Sequence, residues 1–88
     1  MMFVILSYDI GEKRVKKAAK IAKKYLFQVQ RSLFQGYITE KQLAGLKCEL
    51  DSIIDYTHDT VIIYKAENEN NLTVDEIGIV KIQNSYIL

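Results

Sequence analysis
The order of elements legible in this 88-residue chain is strand, helix, strand, strand, helix, strand. That order predicts an α+β fold, with one antiparallel sheet and both helices on the same face. Three observations carry the expectation. Met2–Tyr8 and Thr60–Ala66 are short apolar runs bounded by polar residues. Glu12–Leu26 and Thr39–Asp55 carry apolar residues at helical spacing. Phe27–Ile38 is a long β-prone segment with a polar break in its middle.

In the first run, Met2, Val4, Leu6 and Tyr8 share one parity and Phe3 and Ile5 the other. A strand apolar on both faces is buried on both, so this one is expected at the centre of the sheet. It ends on Asp9. In the first helix, Val15, Ala18, Ala19, Ala22, Tyr25 and Leu26 fall on one side, while Lys13, Lys17, Lys20 and Lys24 fall opposite, with Lys16 and Lys23 beside them. The apolar side is mostly alanine, so the helix can approach its sheet closely. Asp9 or Gly11 stands where the N-cap belongs.

In Phe27–Ile38 the apolar parity breaks at Arg31-Ser32, which predicts two strands joined by a tight reversal there. Gly36 inside the second strand marks a bulge or a close backbone approach. Thr39 with Gln42 is a capping-box pattern that opens the second helix. Leu43, Leu46, Leu50, Ile53 and Ile54 form its apolar face, and Gly45 and Cys48 point away from it. Asp55–Asp59 is a polar connection to Thr60–Ala66, a strand again apolar at both parities. After the polar loop 67–71, residues 76–82 are β-prone. The whole, residues 1–88, reads as a single ferredoxin-like βαββαβ domain with an extra C-terminal edge strand.

Two helices on one face leave the other bare, although the central strands are apolar on both. A second copy of the same sheet is the simplest cover. A homodimer packed face to face is therefore expected, with the tail 72–88 adding to a sheet edge of the partner subunit.

Composition narrows the class. A single cysteine cannot form an internal disulfide, so nothing points to secretion. The opening apolar run is too short to cross a membrane and has no basic residues before it, as a signal peptide would. A cytoplasmic protein with no membrane partner is expected. The net charge of +1 hides a segregation: residues 1–31 carry a balance of +6 and residues 32–88 a balance of −5. Seven basic residues lie between positions 13 and 24 with no acidic residue among them. A solvated helix face is the ordinary explanation of such a stripe. An ordinary surface helix mixes signs, however, and unpaired lysines suit a phosphate backbone bound without regard to base. Lys13, Arg14, Lys16, Lys17, Lys20 and Lys24, with Arg31, are the candidate nucleic-acid contacts. Among strand aromatics, Phe27 is expected in the core, and Phe34 is open to either packing or stacking on a base.

Asp9 admits two readings. It is a turn or capping residue, or it is a ligand for a hard cation such as Mg²⁺, which takes carboxylate oxygens and keeps several waters. One carboxylate is a poor site, but two copies of Asp9 meeting across a dimer axis make a better one. His58 and Cys48 lack partners at a telling spacing, and no Walker, Rossmann or zinc signature is present.

The pattern as a whole resembles the CRISPR-associated protein 2 family. The resemblance rests on the strand ending Tyr8-Asp9-Ile10 and the Lys/Arg-rich helix after it. It rests also on Val29-Gln30-Arg31-Ser32-Leu33-Phe34-Gln35-Gly36 followed by Tyr37-Ile38-Thr39-Glu40, and on the tail Asp75-Glu76-Ile77-Gly78-Ile79. It implies a ferredoxin-like homodimer with one Mg²⁺ site at the subunit interface. Asp9 would be the metal ligand and catalytic aspartate, with Tyr8, and then Phe34 and Ser32, beside it. It also implies a part in spacer acquisition, where the dimer binds duplex DNA and bridges dimers of the integrase, CRISPR-associated protein 1. Members are described either as metal-dependent endonucleases for single-stranded RNA or duplex DNA, or as non-catalytic scaffolds. Gln35 stands where the family usually has Glu, and Leu26-Phe27 stands where it usually has Gly after the first helix. The first difference removes a possible accessory acid.

Overall fold
The structure, a computed structural model, describes residues 1–71, and of Glu69 only the backbone. The expected C-terminal strand and its docking on a partner lie outside the described residues. The elements are β1 (Met2–Asp9), α1 (Glu12–Lys23), β2 (Phe27–Gln30), β3 (Leu33–Ile38), α2 (Glu40–Asp51) and β4 (Thr60–Ala66), followed by a 3-10 turn, Glu69–Asn71. The sheet runs β2-β3-β1-β4, with every neighbouring pair antiparallel. The fold class read from the sequence is the one observed, and β1 is an inner strand as expected.

Register assigns the two faces, because residues paired across an antiparallel ladder point the same way. Val4, Leu6 and Tyr8 share a face with Gly36 and Phe34 of β3 and with Val61 and Ile63 of β4. This face meets Ala18 and Ala22 of α1 and Leu43, Leu46 and Leu50 of α2, and together they form the core. The alanines let α1 lie close to the sheet. A Cβ at Gly36 would stand 3.4 Å from Leu26 Cδ2, an ordinary contact distance. The register irregularity falls not at Gly36 but against β2, between Gln28 and Gln30.

Phe3, Ile5, Ser7 and Asp9 occupy the other face, with Leu33, Gln35 and Tyr37 of β3 and Thr60, Ile62, Tyr64 and Ala66 of β4. No described helix covers it. Ile62 and Tyr64 are about half exposed, as is Phe27, which pairs with Gln35 on the same face. Phe27 is thus not a core residue. It lies on an outer strand of the sheet, turned away from the helices.

Both helices end earlier than their apolar spacing predicts. Leu26 N–H still bonds to the Ala22 carbonyl at 2.8 Å, but from Phe27 the chain is already paired with β3. The capping box at Thr39 and Gln42 is present, with both reciprocal bonds made. At the far end of α2, the amides of Ile53 and Ile54 both turn to the Leu50 carbonyl, and the Asp55 amide leaves the helix for the Asp59 carboxylate. Gly45 and Cys48 differ: Cys48 is exposed, but Gly45 lies under the Tyr25 hydroxyl, where a Cβ would come within 3.0 Å.

Phe34 is fully buried, its ring 5.8 Å from that of Tyr8. It cannot stack on a base, so its candidacy as a nucleic-acid contact is withdrawn. Truncation to alanine is expected to cost about 3–5 kcal/mol, the usual range for a buried phenylalanine. Urea unfolding with an unchanged m value would register it as a lowered midpoint.

Candidate functional site
Asp9 is the last residue of β1, paired with Thr60 of β4 and exposed on the face that carries no helix. Its carboxylate makes no hydrogen bond or ion pair among the described residues. The helix cap is Gly11, with extended backbone and no side-chain cap bond, so Asp9 is not the capping residue. Tyr8 points the opposite way, as strand alternation requires. Its phenol is buried beside Phe34, and burial raises its pKa, keeping it neutral. The hydroxyl donates over a long 3.5 Å to the Arg31 carbonyl, and the Tyr8 amide donates to the Ser32 carbonyl at 3.1 Å. Tyr8 therefore holds the β2–β3 turn against the end of β1. Through that turn, Arg31 and Ser32, both exposed, reach the same end of the sheet as Asp9. Of the residues expected beside Asp9, Ser32 reaches that end of the sheet, and Arg31 of the basic set comes with it. Tyr8 supports them from the other face, and Phe34 stays in the core.

The fit of Asp9 to a hard cation follows from its chemistry. It is a single exposed carboxylate with free lone pairs. Among the described residues no group of three or more His, Cys, Asp or Glu could hold a metal ion. One chain thus offers a single carboxylate, and Mg²⁺ commonly makes do with one or two and keeps its waters.

The basic residues of α1 are not equivalent. Arg14 is clamped onto Asp59, with Nε donating to Oδ2 at 2.6 Å and Nη2 to Oδ1 at 3.0 Å. The same carboxylate accepts from the amides of Gly11 at 3.0 Å and Asp55 at 2.8 Å. Gly11 also makes room for Arg14, since a Cβ there would meet Nη2 at 2.7 Å. Asp59 joins the turn before α1, α1 itself and the loop after α2 at one point, and its side chain has no exposed surface. Arg14 is a structural cation here, paired with an acid 45 residues away. Lys24 is likewise engaged: Glu49 accepts from both its ammonium and the Tyr25 hydroxyl. That holds Glu49 below, and Tyr25 above, their ordinary pKa values. The sequence had offered no acid near the stripe, yet α2 and the loop after it supply two. Lys13, Lys16, Lys17, Lys20 and Lys23 remain exposed and paired with no carboxylate among the described residues.

The Asp59 clamp predicts an acid limb in stability. The Arg14 hydrogen bonds, then the Asp55 amide, depress the Asp59 pKa well below the usual carboxylate range. Asp55 is lowered to about 2, first by the Thr57 hydroxyl, then by the Thr57 amide and His58. A carboxylate with a depressed folded pKa adds stability above its unfolded value of about 4 and loses it as pH falls through the folded value. Thermal melts should therefore hold their midpoint from pH 7 to about pH 4 and fall below that. Asp59→Asn should lower the midpoint at pH 7 by more than about 5 °C and flatten the acid limb.

No described helix is long and apolar enough to cross a membrane. Comparison with known proteins adds the following. The sequence pattern of the family described as CRISPR associated protein Cas2 matches residues 2–74. The chain is 46% identical over 81 residues to a protein of Thermodesulfovibrio yellowstonii named CRISPR-associated endoribonuclease Cas2 3, covering 92% of each chain. It is 36% identical over 86 residues to the CRISPR-associated endoribonuclease Cas2 of Thermotoga maritima, covering 98% of this chain and 99% of that one. A crystal structure of Cas2 superposes with a TM-score of 0.84 at 34% identity, covering 94% of this chain and 93% of the other.

Proposed function
The chain belongs to the CRISPR-associated Cas2 family, and from that membership we propose that two copies form a Mg²⁺-dependent endonuclease acting on phosphodiester bonds. The observation that carries the proposal is the place of Asp9. It is an exposed carboxylate, unpartnered among the described residues, at the edge of a sheet face whose Phe27, Ile62 and Tyr64 no described helix covers. Pairing that face with its own copy buries the aromatic and aliphatic side chains. It also gives the two Asp9 carboxylates a way to meet. Their mutual repulsion in the absence of a cation is what a divalent ion between them relieves.

The two Asp9 carboxylates would hold the ion. Mg²⁺ bound there supplies Lewis acidity toward a phosphoryl oxygen and makes water a better nucleophile. The chain's own part is binding and placement. Arg31 at the β2–β3 turn offers a guanidinium to a phosphate, and Ser32 a hydroxyl to a phosphate or ribose. Tyr8, neutral and buried, keeps that turn in place. The five lysines of α1 that no described carboxylate pairs hold the rest of the strand by charge alone. The names of the relatives, endoribonucleases, support RNA as the first substrate to try, with single-stranded RNA and duplex DNA side by side. Cleavage of each with Mg²⁺ and with EDTA, wild type beside an Asp9 variant, tests the reading.

A second reading has its own support in those five lysines. A one-signed helix face suits a scaffold that grips duplex DNA during spacer acquisition and bridges dimers of the CRISPR integrase. It requires spacer uptake to survive loss of Asp9 and to fail when the lysines are reversed. Both roles are compatible in one dimer, because Asp9 lies on the face of the sheet opposite the helices.

A further inference from the structure
We propose that Thr60 is a positioning residue of the Asp9 site, its hydroxyl accepting a hydrogen bond from a water of the divalent ion held there. The inference rests on Asp9 being a metal ligand and adds a residue which that reading does not use.

Thr60 opens β4 and stands directly across the ladder from Asp9. Paired residues of an antiparallel ladder point to the same face, with Cβ atoms about 4.5–5.5 Å apart. Among the described residues Thr60 is the sole cross-strand neighbour of Asp9, because the pairing of β1 with β3 ends two residues earlier, at Ser7 and Leu33. Both members of the pair are exposed. Their placement is fixed from either side. Tyr8 pairs with Val61 on one side, and on the other the Gly11 amide donates to the Asp59 carboxylate at 3.0 Å. Asp59 also takes Arg14 of α1, so its side chain lies on the helix side, and alternation turns the next residue, Thr60, to the bare face.

Neither the Thr60 hydroxyl nor the Asp9 carboxylate makes a hydrogen bond among the described residues. A hydroxyl and a carboxylate set side by side without a direct bond are spaced for a water between them. Mg²⁺ keeps several of its waters, and each polarised water needs an acceptor. Thr60 Oγ1 supplies one beside Asp9. Ser7, the next polar side chain of β1 on this face, instead lies between the apolar Leu33 and Ile62. The Thr60 hydroxyl hydrogen stays free to donate to a phosphoryl oxygen.

The test is Mn²⁺ binding to the full chain, followed by electron paramagnetic resonance with Mg²⁺ as competitor. It is made at protein concentrations where sedimentation shows wild type and variants equally assembled. Thr60→Val keeps the shape and the strand preference and removes the hydroxyl, so it should weaken the ion about tenfold or more. Its melting midpoint should stay within about 2 °C of wild type. Thr60→Ser keeps the hydroxyl and should bind within about threefold of wild type. Wild-type affinity in Thr60→Val overturns the inference and leaves Asp9 as a ligand. So does equal weakening by serine and valine, which would make the effect one of packing. Binding undiminished in Asp9→Asn overturns the metal reading and this inference with it.

Discussion
Asp9→Asn should lower Mg²⁺-dependent cleavage of single-stranded RNA by about 10³-fold or more, with the fold and the dimer unchanged. The size follows from what a bound divalent ion contributes, several kcal/mol of charge stabilisation, at about 1.4 kcal/mol per tenfold in rate. The structural silence follows from the site. The Asp9 side chain is exposed, caps nothing and bonds to no described residue, so the variant's melting midpoint should move by no more than about 2 °C. Asparagine keeps the shape and removes the charge. Where two copies meet, its loss also removes a repulsion, so dimer affinity at low Mg²⁺ should hold or rise. Single-turnover cleavage at saturating enzyme, with sedimentation of the same samples, separates chemistry from assembly. Cleavage undiminished in the variant would place the activity on other residues.

The second large effect is on nucleic-acid binding. Replacing Lys13, Lys16, Lys17 and Lys20 together by Glu should weaken binding to a DNA duplex by about 10³-fold near 0.1 M salt. The dependence of log K on log salt should become shallower by about one unit for each lysine that meets a phosphate. All four side chains are exposed, and glutamate is a good helix former, so α1 should persist. Adding Arg14 to the set would confuse the result, because Arg14 neutralises the buried Asp59. Its loss would unfold as much as it would unbind. Titrations at several salt concentrations would show whether the lysines act as phosphate contacts or only as a solvated face.

The residues show why some of this was legible in the sequence and some was not. Two-sided hydrophobicity in Met2–Tyr8 identified an inner strand, because burial on both faces leaves no polar parity. The capping box at Thr39 is a local bond pattern, and local patterns survive folding. Face assignment was harder. Phe27 and Phe34 are both strand aromatics, but one sits on an outer strand away from the helices and the other under them. Pairing register decides which, and register between strands is a long-range property. The helix ends were misplaced because periodicity continues through Leu26 and Ile54 after the backbone has left the helix. Sheet pairing at Phe27 and the Asp59 carboxylate at Asp55 decide where it leaves. Asp59 itself carried no signal, since its value lies in Arg14, Gly11 and Asp55 converging on it. For the candidate site, strand alternation puts Tyr8 and Asp9 on opposite faces. That consequence is readable from the sequence, yet the family resemblance had grouped the two.

The central claim is that one carboxylate per chain, on a face closed by a second copy, makes one metal site per pair of chains. Mn²⁺, followed by its electron paramagnetic resonance while it is titrated into the protein, counts that site directly. The account predicts one tightly bound ion per two chains, lost in Asp9→Asn. One ion per chain, or binding that survives Asp9→Asn, would contradict it.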